Sequence, residues 1–474
     1  MPAARVSRPV VLLVAAGSLA LVAQGATAAR AGGPVPARVS EDAATCPDDA
    51  LHLNREVSAA VDPHDPSHLV AAWMQGAASA VTMSIGFAES HDSGRTWRQG
   101  TVGGTSLCAG GTRSQSQADP ALTWAPDGTL YLATLGGFVS TGGKALELVV
   151  QRYLGFEQGW TPPAPVTGLS RVASDKEVLL ADRHVPGRLW VAWTDVTGGD
   201  GWQRAVVARS DDRGATWEEL PAPPTDSRQS SGDQAFQDFG LFLSQTPAGR
   251  LVLATHRVYT SAPDKQTLMT TTYDPGTDSW SAWQVHDADL FGSGPSTEGP
   301  QAIQVYEPVN GMLTSTPDGV TLTWSRVGTS TGPNTVTQPS TLHVLTSPDG
   351  TTWTAAPVQR TPHAALQATV AASARGQALV WYDLRDYDSA RDGDVPVVSV
   401  WAATRHGDAP WQAREVVAAA SFEATRVFTF QGFHYAIGEY ASLVETDRGW
   451  LALWALVPPE ADRRLDIYAL PLGR

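Results

Sequence analysis

SHDSGRTW, Ser90 to Trp97, and SDDRGATW, Ser210 to Trp217, share the pattern Ser-x-Asp-x-Gly-x-Thr-Trp. In such a box the Asp accepts hydrogen bonds from the N–H groups of its own turn and the Gly takes a positive φ. The Trp opens the next strand and packs beneath the hairpin. Two copies this alike and this far apart mark a repeated hairpin, a folding device rather than a catalytic motif. SPDGTTW, Ser347 to Trp353, is one residue shorter, and YLGFEQGW, YDPGTDSW and HGDAPW, ending at Trp160, Trp280 and Trp411, read as eroded copies.

Working outward, each box follows a pair of short apolar runs. The second runs are LVAAW, LYLAT, LWVAW, LVLAT, VTLTW, ALVWY and LALWA, starting at residues 69, 130, 189, 251, 320, 378 and 451. A first run and a turn of Asp-Pro, Pro-Asp-Gly or Arg-Gly type precede each. The runs are too short and too β-branched for helices, and the punctuation between them is that of hairpins. A period of about sixty residues carrying three or four strands predicts an all-β fold, a β-propeller whose blades stack because none can bury its own faces.

Seven run pairs against six Trp-ended outer strands predict seven four-stranded blades, with the boxes between third and fourth strands. The seventh would span Ile437 to Leu472, with its fourth strand supplied from the N-terminal segment near Ala37 to Leu53; that closure removes the free edges. Six blades, with Ser293 to Glu307 as an insertion, is the alternative.

Residues 1–28 have the form of a secretory signal: Arg5 and Arg8 precede an apolar run from Val10 to Val22, and Ala26-Thr27-Ala28 follows. The run is short for a membrane span, and the rest offers none. A secreted monomer is therefore expected, with residues 29–52 as an N-terminal segment and 53–474 as one propeller domain. The cysteines, Cys46 and Cys108, can pair as a disulfide in an oxidising compartment. A formal net charge of -15 without basic runs excludes nucleic acid and anionic membranes as partners.

The boxes resemble the Asp-box, or BNR, repeat of sialidases and their secreted relatives, from about Asn54 to Leu472. That resemblance implies a propeller, and it covers glycosidases, binding modules and assembly factors alike.

In a propeller, residues just before each first run and just after each second run converge on one mouth of the channel. Before the first runs stand Arg55 and Glu56, Asp119, Asp175-Lys176-Glu177, Asp238, Glu307, and Glu439 with Tyr440. After the second runs stand Gln75, Asp195, His256-Arg257, Arg326, and Tyr382-Asp383 with Arg385. Several arginines in one cleft suit a carboxylate-bearing ligand, because each guanidinium offers a planar fork of donors. The expected binding residues are Arg55, Arg257, Arg326, Arg385, Glu439 and Tyr440.

The resemblance implies a sialidase-like reaction with a tyrosine nucleophile. Tyr382 or Tyr440 would attack, Asp238 would draw off the proton, and Asp119 would serve as acid/base. The Phe/Tyr-Arg-Ile-Pro motif of sialidases is replaced by Asn54-Arg55-Glu56-Val57. A binding or scaffolding propeller using the same face is the alternative function. The loop from Arg385 to Asp394, with Asp386, Asp388, Asp392 and Asp394, offers oxygen ligands for calcium but matches no fixed spacing. No HExxH, no paired Cys/His spacing for zinc, no nucleophile elbow and no phosphate loop occurs.

Overall fold

Strand after strand of the computed structural model ends at the punctuation read above. It describes residues 36–41, 53–76, 83–103, 110, 116–140, 143–166, 174–195, 203–224, 236–259, 262–291, 311–327, 339–362, 365–392, 395–407, 409–421, 426–429, 432–435, 438, 440–458 and 465–473. The leader, both cysteines, Glu307, Glu439 and Asp394 lie outside them, as do Ser293 to Glu307.

Seven antiparallel sheets of four or five strands form seven blades, so the six-blade alternative does not hold. Their first strands are Asn54–Val61, Ser116–Trp124, Ser174–Ala181, Phe236–Gln245, Gly311–Thr316, Ala365–Ser373 and Ser442–Thr446. Each first strand lies against that of the next blade, and the seventh lies against the first, which closes the ring around a channel. Among the described residues no helix is long and apolar enough to cross a membrane.

The period-two pattern of the second strands explains the stacking. On Leu69–Gln75, Val70, Ala72 and Met74 pack toward blade 2, whereas Leu69, Ala71 and Trp73 join the core shared with blades 6 and 7. Leu189–Asp195 repeats the arrangement, with Trp190 and Ala192 facing blade 4 and Leu189, Val191 and Trp193 facing blade 2. Trp73, Trp190, Trp381 and Trp454, one on each of four second strands, are fully buried in these seams.

The boxes fold as their residues require. Asp92 accepts from the Arg95 and Thr96 N–H groups at 3.0 and 2.9 Å and from the Thr96 hydroxyl at 2.7 Å. Gly94 donates to Ser90 Oγ, and Trp97 Nε1 reaches back to the Gly94 carbonyl. Asp212 and Thr216 repeat this in blade 3, and Asp349 repeats it in the shorter box of blade 5. Gly94, at φ +81°, sits against Leu451 of blade 7, so the turn also seals a seam.

Blade 7 takes its fourth strand from the N-terminal segment, Ala37–Arg38 pairing with Asp466–Gly473. Fully buried Asp466 gathers the closure: Ser40 Oγ and Asn54 Nδ2 donate to Oδ1 at 3.0 and 2.9 Å, and Arg38 Nε lies 2.9 Å from Oδ2. Additional strands Gln284–Phe291 and Gln359–Thr361 widen blades 4 and 5. A hairpin of Arg426–Thr429 and Gly432–Tyr435 stands apart from the blades.

Candidate functional site: an acidic cavity in the channel

Five of the first strands carry the same irregularity near their starts. The register shifts between Arg55 and Ser58, Ala118 and Ala121, Asp175 and Val178, Phe239 and Phe242, and Leu366 and Thr369. Inside each shift one residue has φ between +51° and +57°: Glu56, Asp119, Lys176, Gly240 and Gln367. Four of the five are not glycine, so the left-handed backbone is imposed against its cost of about 1–2 kcal/mol per residue. A bulge re-aims side chains, and repeated around a ring it turns polar groups of successive blades toward the axis.

A cavity of about 140 Å³ lies within this girdle, lined by residues of blades 1, 2, 3, 4 and 7, including Ser58, Asp119, Lys176, Glu177, Gly240 and Tyr440. Its volume is close to that of a site that accepts one six-membered ring. Gly240 keeps the wall low where the other bulges carry side chains, and Leu241 and Phe242 give that side an apolar face.

Glu177 is the unusual wall residue. It is 5% exposed, and among the described residues neither carboxyl oxygen has a hydrogen-bond partner on another residue. Burial pushes its carboxyl well above the usual range, and the neighbouring Asp119 and Asp175 push it further. Asp119 receives the Lys176 ammonium at 3.5 Å, and Lys176 also lies 3.7 Å from Asp175. Asp175 is raised too, by desolvation first, with Lys176 opposing and Asp119 adding to the shift. Since 36% of its side chain is exposed, the buried proton belongs on Glu177. One mouth thus holds a carboxyl whose burial favours its neutral form, a lysine-paired carboxylate and a tyrosine, a set able to donate a proton and stabilise developing positive charge.

Of the residues expected from sequence, Asp119 and Tyr440 line the cavity. Arg55, on the blade 1 bulge, does not line it: its Nε is 4.0 Å from Glu56 and its Nη2 is 3.8 Å from Met83 Sδ. The others are committed elsewhere. Arg257 and Asp238, both nearly fully buried, form a two-pronged pair at 2.7 and 2.9 Å, and the guanidinium stacks on Phe236 and Trp283. Arg385 holds Asp383 through two bonds of 2.9 and 2.6 Å and covers Trp401. Arg326, 39% exposed, lies 3.7 Å from Asp287.

Tyr382 is a core residue, not a mouth residue: it is 1% exposed, packs edge-on against Trp454, and donates to the Ala455 carbonyl. Burial raises its phenol far above the ordinary value, which disqualifies it as a nucleophile. Asp238 is bound to Arg257 and to the Ala205 N–H. In the acidic loop Asp392 is taken by Arg391 and by the Asp388 N–H, and Asp388 caps Ala390. Glu177 was visible as a mouth residue in SDKEV but carried no assigned role. The usable signal was an acidic residue at the start of an otherwise apolar first strand.

No family model matches the chain, and no curated protein matches it. Several solved structures are similar to it. Polysaccharide lyase Uly1 has a TM-score of 0.49 at 11% identity, covering 93% of this chain and 100% of its own. The Penicillium chrysogenum alpha-L-arabinanase complexed with arabinobiose has a TM-score of 0.44 at 18% identity, covering 74% and 94%. A Hadza microbial sialidase has a TM-score of 0.43 at 15% identity, covering 70% of this chain and 64% of that one.

Proposed function

We propose that the chain is an exported glycan-processing propeller whose reaction takes place in the channel cavity, with Glu177 as general acid and Asp119 as the carboxylate working with it. The observation that carries this reading is the Glu177 carboxyl: buried at the wall of a cavity, without a hydrogen-bond partner on another described residue, and pushed well above the usual carboxylate range by that burial. Such a group costs stability and adds no contact, and proton delivery to a leaving oxygen gives it a use.

Cleavage of a glycosidic bond needs that proton together with an ionised group facing the developing positive charge or activating water. Asp119, paired with Lys176, is the second group. Tyr440 is the proposed substrate contact. The Asp-box resemblance and the N-terminal export pattern support an extracellular glycan as the substrate class. The sialoside version, with a Tyr382 nucleophile and Arg55, Arg257 and Arg326 as the arginine triad, has less support, because Tyr382 is buried and Arg257 already holds Asp238.

The test is turnover by the purified chain on a panel of aryl glycosides, sialosides, arabinan and uronate-containing polysaccharides, reading new reducing ends and unsaturated products. Turnover of at least one class is expected, reduced about 100-fold or more in Glu177→Gln and in Asp119→Asn while the melting transition is kept. No turnover of any class from acid to alkaline pH, with saturable glycan binding retained, would instead assign a binding propeller.

A further inference from the structure

We propose that His68, Glu89 and His91 form a binding site for a borderline divalent transition cation, zinc foremost, on the face of the ring opposite the cavity. His68 ends the turn between the first and second strands of blade 1, Glu89 stands near the end of the third strand, and His91 is the second residue of the first box. From the bulge at Glu56 the first strand runs about 20 Å to this end. The site is therefore independent of the glycan reading.

The donor atoms of the three side chains all lie within 4.8 Å of one another. His68 Nε2 is 2.9 Å from Glu89 Oε1, and His91 Nε2 is 3.5 Å from the same oxygen. Bonds of about 2.0–2.1 Å in a tetrahedral zinc site place neighbouring ligand atoms roughly 3.3 Å apart, so these two edges bracket the required value. The metal would take the place of the His68 Nε2 proton. Asp62 Oδ2, 3.2 Å from His68 Nδ1, already stands where a carboxylate orients a metal-bound imidazole.

An ion-pair network sets His68 between Asp62 and Glu89, with His91 at its edge. The His91 ring is 65% exposed and stacks on His68 at 4.2 Å and 16°, so ligation of one ion by both rings needs His91 to turn out of that stack, which its exposure allows. Two imidazoles beside one carboxylate select zinc and its neighbours over calcium or magnesium, which take oxygen ligands. The exposure of His91 leaves the fourth position open to water or to a donor from another molecule. Bound metal would pin the first box to the turn beneath it.

The experiment is calorimetric titration of the full, metal-stripped chain with zinc chloride, repeated with calcium present in excess, and with cobalt(II) followed by its visible spectrum. Expected are a single zinc at micromolar affinity or tighter, no competition by calcium, and a tetrahedral cobalt spectrum. His91→Ala, at an exposed position, should weaken binding at least about tenfold. His64→Ala, in the same turn and bonded to the Pro126 carbonyl, should leave it unchanged. Absence of zinc binding, binding unchanged in His91→Ala, or weak uptake spread over the 11 histidines would overturn the proposal.

Discussion

Glu177 and Arg257 show how buried charged residues acquire opposite uses from their neighbours. Both are charged in solution, both stand at the same end of a blade, and both are buried. Arg257 meets Asp238 and becomes part of the core; Glu177 meets no donor on another described residue, and its burial pushes the carboxyl well above the usual range. That raised pKa has a testable sign. The folded chain retains a proton that the unfolded chain releases near pH 4.3, so this stability is full below that value and is lost as pH rises toward the folded pKa. Melting followed from pH 4 upward should show a decline that Glu177→Gln flattens; parallel profiles would contradict the assignment. Sequence pointed to Asp119, Lys176, Glu177 and Tyr440 at the mouth, and also to Tyr382, which is in the core. It could not reveal which are neutralised there, because the partner of Arg257 lies across a strand pair and the missing partner of Glu177 depends on two neighbouring blades.

The hairpin box was legible because its chemistry is local. Asp212 needs only Ser210 and Thr216 of its own turn, so the pattern in the chain is already the hydrogen-bond pattern in the fold. Asp212→Ala should cost about 1–2 kcal/mol in urea or thermal melts near neutrality. The Thr216 hydroxyl and N–H hold the Asp212 carboxyl below the ordinary range. Its contribution is therefore present above the unfolded value near pH 3.9 and lost as pH falls through the folded one, and the penalty of the substitution should shrink in acid. The bulges were not legible. A positive φ at Glu56, Asp119, Lys176 and Gln367 follows no residue preference, and it is fixed by how neighbouring first strands crowd the axis. The zinc ligands were hidden for a related reason, since His68 and His91 belong to two turns that only the folded blade brings together.

At the scale of the ring, seven blades could be counted because each needs its own run pair, and the blade lacking an outer box pointed to mixed termini. The latch itself is tertiary: Asp466 binds Arg38, Ser40 and Asn54 from the far end of the chain. Asp466→Ala should lower stability by roughly 3 kcal/mol, read in chemical unfolding, by stripping several charge-assisted bonds from a buried site. A loss indistinguishable from zero would mean the ring closes without it. Closure is also what brings blades 1, 2, 3, 4 and 7 to one cavity, so the functional claim rests on it. The most direct measurement is the pH–rate profile of the intact chain on the glycan it turns over, beside that of Glu177→Gln. The account predicts an alkaline limb above the ordinary carboxylate range in the first and only residual rate in the second. Wild-type turnover by Glu177→Gln would contradict it.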